Sequence, residues 1–322
     1  MLVRFWGTRG SLPRAMRADD ALTRVVRALL VARGRKFADE AEAADFARTD
    51  LTFATHSTFG GATSCVEIET GDEQAFLVCD MGSGLREFGM HALRRCAEGH
   101  PRVYHVFLSH VHSDHIMGFP YFRPAQESGA TIVIHSGHPH VEKALRRQQE
   151  AISFPVPYDA LKARIEFAVH APGEYFEVVG VQVSVIAQTH AATGSFGWRF
   201  ERDGKAVVYA TDAEYKPEDM DAEGDVAAFF VDADLVICDT MYSLGEAVSL
   251  KQDLGHASNV VAVDLCQTAG ARRLALYHHE PSYTDEDIER MYDETIRYEE
   301  LVRAGRPKLE VVCAYDGLEV EV

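Results

Sequence analysis

The chain has 322 residues, of which 47% are hydrophobic and 25% charged, ordinary usage for a globular protein with a sizeable core. Its 50 acidic residues against 32 basic ones give a formal net charge of −18, so the mean field repels polyanions and excludes a general nucleic-acid or acidic-membrane surface. A small or locally docked substrate is expected. The six cysteines (Cys65, Cys79, Cys96, Cys238, Cys266 and Cys313) are scattered, as suits small core hydrophobes in a reducing compartment. Met1 to Gly7 lacks a signal-peptide core, and no run approaches the ~18 apolar residues of a membrane span, so a cytoplasmic location is expected.

Leu2 to Trp6 reads as a strand that ends in the glycine-rich turn Gly7 to Pro13, where Arg9 is a candidate to meet a substrate phosphate. From Arg14 to about Thr55 the pattern turns helical. Leu22, Val25, Val26, Leu29 and Leu30 repeat at helical spacing, and a second helix covers Phe37 to Arg48. This stretch is expected to be a helical insertion in a single domain spanning 1–322. Its apolar stripe must be covered by something, whether the outside of the domain, the entrance to a site or a second subunit.

Val66 to Thr70 and Gln74 to Cys79 form an expected hairpin through Gly71-Asp72. Asp80 then sits at a strand end before Gly82-Ser83-Gly84 and the helix Leu85 to Cys96. It is a candidate either to orient a metal-bound histidine or to cap that helix.

The apolar run Val103 to Leu108 leads into His110-Val111-His112-Ser113-Asp114-His115, four potential ligands within six residues. Imidazole nitrogen with carboxylate oxygen is the donor set that suits zinc and similar ions. In an extended loop His110 and His112 point to the same side, while Asp114 and His115 follow as a helix starts, a geometry that allows two neighbouring ions. Gly118 to Pro124 is aromatic and proline-rich and is expected to border the site, with Tyr121 and Phe122 facing substrate. His135, His138 and His140 follow the strand Thr131 to Ile134; a solvated rim is expected there rather than a third metal site.

Strands are expected over Arg164 to Val169, Tyr175 to Val179 and Val181 to Ala187, the last delivering His190. A hairpin around Asp203-Gly204 runs out into Asp212. Ala233 to Cys238 ends at Asp239, and Gly255-His256-Ala257-Ser258 opens the helix Asn259 to Ala269. Arg272 to Tyr277 ends in His278-His279. Thr284 to Asp287 is a capping-box pattern for a helix to about Arg303, and Leu309 to Val322 folds back as strands. His110, His190, Asp212, Asp239 and His278 thus share the C-terminal ends of strands, which gathers them along one edge of layered sheets.

The His110 to His115 motif with these strand-end residues resembles the metallo-β-lactamase superfamily. The resemblance implies an α/β fold, a four-layer αββα sandwich, carrying an N-terminal helical insertion. It also implies two divalent ions, zinc with manganese or iron as alternatives. His110, His112 and His190 would hold one ion and Asp114, His115 and His278 the other, with Asp212 bridging them; His279 rivals His278. Phe5 to Ser11, Gly60 to Cys65, Asp80 to Gly84 and Gly255 to Ser258 are similar to the phosphodiesterase branch, which includes tRNase Z and cyclic-nucleotide phosphodiesterases. The redox branch usually has Glu where this chain has His112.

The implied activity is hydrolysis of a small phosphodiester or cyclic nucleotide by a metal-bridging hydroxide, with Asp114 and Asp212 as catalytic carboxylates. His256 would protonate the leaving group, oriented by Asp239. No basic, glycine-rich arm of the kind that clamps tRNA is present. A lactonase or thioesterase on the same ions and a non-catalytic metal sensor are the alternatives, and a homo-oligomer is open.

Overall fold

Two seven-stranded mixed sheets pack face to face between outer helices in the computed structural model, which describes residues 1–71, 74–216, 224–247 and 255–322. The first sheet has the order β14 (Glu319–Glu321), β1 (Leu2–Gly7), β2 (Cys65–Glu69), β3 (Phe76–Cys79), β4 (Val103–Leu108), β5 (Thr131–Ser136) and β6 (Arg164–Val169). The second has the order β13 (Glu310–Cys313), β12 (Arg273–Tyr277), β11 (Leu235–Asp239), β10 (Lys205–Ala210), β9 (Ser195–Arg202), β8 (Val181–Gln188) and β7 (Tyr175–Val178). Strands β3 to β6 run parallel, as do β10 to β13. Parallel strands covered on both faces read as continuous apolar runs, and β3 and β11 are buried at every residue. Asp72, in the expected hairpin turn between β2 and β3, lies outside the described residues.

The helices are α1 (Ala18–Val31), α2 (Glu40–Asp50), α3 (Phe53–His56), α4 (Leu85–Ala97), α5 (Ser113–Ile116), α6 (Val141–Gln148), α7 (Asp225–Phe230), α8 (Leu244–Ala247), α9 (Asn259–Thr268) and α10 (Asp285–Val302). Phe5, Phe107, Trp198, Tyr209 and Tyr277 fill the layer between the sheets. Leu85, Phe88 and Ala92 of α4 cover the outer face of the first sheet, and Ala262, Leu265 and Cys266 of α9 with Ile288 of α10 cover that of the second. Four layers result, the αββα arrangement. No helix among the described residues is long and apolar enough to cross a membrane.

The first helix of the expected insertion does not bury its stripe in the chain. None of its residues is buried, and Leu22, Leu29 and Leu30 are 61%, 67% and 65% exposed. Its polar side docks instead: Arg24 pairs with Asp285 and the Ser57 carbonyl, and Arg27 pairs with Glu286. Periodicity identifies an amphipathic helix but not which face turns inward.

Candidate metal centre

The C-terminal ends of β3, β4, β8, β10, β11 and β12 carry Asp80, the His110 to His115 segment, His190, Asp212, Asp239 and His278. Asp80, Asp212 and His278 have φ of +59°, +52° and +61°, a left-handed backbone that costs a non-glycine residue of order 1–3 kcal/mol and turns each side chain sharply off its strand. Close backbone approach holds the edge together. A Cβ at Gly82 would lie 2.3 Å from the Asp114 carbonyl oxygen, and one at Gly10 would lie 2.6 Å from the His278 ring.

Two groups of ligand atoms converge there, one from His110, His112 and His190 and one from Asp114, His115, Asp212 and His278. Asp212 faces both. Its Oδ1 is 3.8 Å from His110 Nε2 and 3.6 Å from His190 Nε2, while its Oδ2 is 3.1 Å from both His115 Nε2 and His278 Nε2. Asp114 Oδ2 lies 3.1 Å from His115 Nε2 and 3.3 Å from His278 Nε2.

Hydrogen bonds behind the rings fix their tautomers. Asp80 Oδ2 accepts from His115 Nδ1 at 2.7 Å, from Tyr209 Oη at 2.7 Å and from Ser109 Oγ at 2.8 Å, and Asp80 Oδ1 accepts the Ser109 amide. His190 Nδ1 donates to the Gly255 carbonyl at 2.6 Å. Each bond leaves Nε2 with its lone pair facing the centre. The buried Nε2 of His110 makes no hydrogen bond, an unmet demand that a divalent cation would satisfy. The donor set therefore fits such ions.

The electrostatics agree with that fit. Burial, reinforced by His115, pushes His110 well below the usual imidazole range, and burial with His190 lowers His112. Burial opposes the charge of Asp114 and Asp212, yet His115 and His278 hold both well below the usual carboxylate range. Burial likewise opposes a charged His115, but Asp212, Asp114 and Asp80 hold it well above its ordinary value. Without a cation, a proton on His115 supplies the positive charge these carboxylates require.

Beside the two groups, His256 Nδ1 donates to Asp239 Oδ2 at 2.7 Å, and Asp239 Oδ1 accepts the Met241 amide at 3.0 Å. Burial opposes protonation of His256, but Asp239 raises it to about 9. The ring stacks on His278 at 5.2 Å and lines an open cleft of about 400 Å³ with Ser11, His112, Asp114, His190 and Asp212. Asp212, Asp239, His256 and His278 also bring ligand atoms together, so geometry alone leaves His256 two roles.

Three expected substrate contacts are placed elsewhere. Arg9 is buried, with its guanidinium on the carbonyls of Gly60, Glu280 and Tyr283 and on Asp285, and it does not line the cleft. Phe122 is buried against Phe88 and Tyr104 in the core under α4. Tyr121 is exposed with its ring against Phe154, apart from the residues that line the cleft. His279 turns away from the centre, its Nε2 donating to the Ala314 carbonyl at 2.7 Å, and His278 is the residue brought in. His135 is not on a solvated rim: it is buried in a chain of hydrogen bonds from His105 through His135 to His170 and Glu174.

The structure adds three contacts that sequence reasoning missed. The Ser11 amide donates to Asp114 Oδ2 at 2.8 Å, Thr211 Oγ1 donates to Asp212 Oδ2 at 2.8 Å, and Tyr209 donates to Asp80 as described. Only Tyr209 left a signal: it falls on the inward face of a buried strand, where a phenol needs an acceptor.

Known proteins resemble the chain in sequence and in fold. The chain is 22% identical over 288 residues to ribonuclease Z of Bradyrhizobium diazoefficiens, covering 72% of this chain and 91% of that protein. The structure resembles the metallo-β-lactamase fold protein YhfI from Bacillus subtilis, with a TM-score of 0.63 at 18% identity over 100% of this chain and 98% of that one. It also resembles a diphosphatase from the PhnP family, with a TM-score of 0.60 at 16% identity over 100% and 97% of the two chains. A family model described as a β-lactamase superfamily domain matches residues 76–279, a span that contains every member of both ligand groups together with Asp80, Asp239 and His256, and the chain belongs to that superfamily.

Proposed function

We propose that the protein is a metal-dependent phosphodiesterase acting on a small phosphodiester. The observation that carries this reading is the hydrogen-bonded His256–Asp239 pair set beside a carboxylate that faces two ligand groups. The names of two relatives, a ribonuclease and a diphosphatase, support it. A net charge of −18 and an open cleft of about 400 Å³ favour a small substrate over a structured RNA.

His110, His112 and His190 would hold one ion, and Asp114, His115 and His278 the other, with Asp212 between them. Zinc suits the donors best, with manganese or iron as alternatives. When bound, a pair of such cations supplies an acidified water as nucleophile and neutralises charge on the phosphoryl oxygens. The chain's own residues do the rest. Asp80 and the Gly255 carbonyl hold the tautomers of His115 and His190. Asp239 holds the Nδ1 proton of His256 and so leaves Nε2–H to donate to the departing alkoxide. Ser11 fixes Asp114, and Thr211 fixes Asp212.

Side-by-side turnover of bis(p-nitrophenyl) phosphate, a thioester and a lactone, with metal content measured on the same sample, tests the reading. About two metals per chain and preferential phosphodiester cleavage are expected. A preference for either carbonyl substrate would place the chemistry at carbon, and a loaded protein that turns over none of the three would leave a metal sensor.

Asp80→Asn should keep the fold and weaken metal binding by about 10–100-fold, the usual cost of losing a carboxylate behind a ligating imidazole. Competition against a chelator of known affinity measures it. An unchanged affinity would reduce Asp80 to a brace for the Ser109 loop.

A further inference from the structure

We infer that the outward face of α1 is the interface of a homodimer in which two copies of the helix cross antiparallel about a two-fold axis near Val26. The helix is inverted relative to an ordinary surface helix. Arg24 and Arg27 anchor its polar side to Asp285 and Glu286 at the start of α10, while Leu22, Val25, Val26, Leu29 and Leu30 form a continuous exposed stripe. Leu12 and Met16, just before the helix, are also exposed and enlarge the apolar surface. An apolar face of this extent on a soluble surface marks an interaction site. The anchors hold α1 down on its polar side, so it is not placed to swing the stripe onto its own chain.

Charge identifies the occupant. Asp19 lies seven residues before Val26 and therefore at the N-terminal end of the same face, and Arg33 lies seven residues after it, in the turn that follows the helix. The face thus reads acidic, apolar, basic. A second copy laid parallel would set like charges together. Laid antiparallel with Val26 at the crossing, each Asp19 meets Arg33 of the partner subunit, twice by symmetry, and the stripe covers itself. Arg35 is engaged within its own chain by Asp50 and by the Phe46 ring, which leaves Arg33 as the end of the pattern. An anionic membrane would be repelled by Asp19 and by a chain carrying −18.

Sedimentation velocity at micromolar concentration should give twice the 35.7 kDa chain mass. Val26→Asp, at an exposed position, should leave the circular dichroism unchanged and raise the dimer dissociation constant about 100-fold, as expected for a central interface position that the axis counts twice. Asp19→Arg and Arg33→Asp should each weaken the dimer by about tenfold, and the two together should restore it. A monomeric wild type would overturn the inference, including one that cosediments with phosphatidylserine vesicles. A Val26→Asp variant that stays dimeric, or a charge swap that fails to restore, would overturn it as well. Neither result bears on the phosphodiesterase reading, because α1 contributes no residue to the cleft.

Discussion

His256→Ala is expected to keep its metals and to lose about 10²–10⁴-fold in turnover of phosphodiesters with alkoxide leaving groups, the usual contribution of a positioned general acid. An unprotonated alkoxide leaves poorly from phosphorus, and the cleft offers His256 as a donor whose Nδ1 is already committed to Asp239. The loss should shrink for p-nitrophenolate, which departs without a proton. Turnover of a series of aryl and alkyl phosphodiesters therefore reads the role directly, as a steeper dependence on leaving-group pKa in the variant. The competing role is ligation, since His256 and Asp239 also converge with Asp212 and His278. In that case His256→Ala would shed metal and would be impaired equally for good and poor leaving groups. Asp239→Asn separates a positioning effect from a proton-donating one: it should reproduce part of the loss for alkoxide substrates while metal content stays at the wild-type level.

The site was more legible in the sequence than its surroundings, for a physical reason. A metal centre needs particular atoms at strand ends, and His110, His112, His115, His190, Asp212 and His278 stand where an apolar run stops or soon after, so residue type and position agree. Side-chain direction is less legible. Arg9 and Ser11 lie two residues apart in one turn, yet the guanidinium runs back under Gly60 while the Ser11 amide meets Asp114. Phe122 and Tyr121 are adjacent, and packing under α4 takes one ring and leaves the other exposed. The contacts from Tyr209 to Asp80 and from Ser11 to Asp114 span 129 and 103 residues, so a buried phenol announces its need for an acceptor but no local pattern names either partner. The α1 stripe is the plainest case: its spacing is clear in the sequence, whereas its outward orientation depends on Asp285 and Glu286, some 260 residues away in sequence.

Asp212→Asn is expected to bind about one metal per chain and to lose activity towards every substrate by roughly 10³-fold or more, the equivalent of about 4 kcal/mol of transition-state stabilisation. Oδ1 looks towards His110 and His190, and Oδ2 looks towards His115 and His278. An amide retains one oxygen and turns an NH₂ donor, with no lone pair to give, towards the other group. Thr211 Oγ1 donates at the Oδ2 position, which favours keeping the oxygen there, so the group of His110, His112 and His190 should be the one to empty. The deficit should also appear in stability. A ligand present at about 1,000 times its dissociation constant stabilises the folded state by about 4 kcal/mol, which for a chain of this length is on the order of 5 °C in melting temperature. Chelation should therefore lower the melting temperature of the wild type substantially and that of Asp212→Asn by about half as much. Inductively coupled plasma analysis alongside differential scanning fluorimetry, with and without chelator, measures both. Two metals retained by Asp212→Asn would mean that the carboxylate does not bridge, and selective loss of activity with poor leaving groups alone would place Asp212 in proton transfer instead.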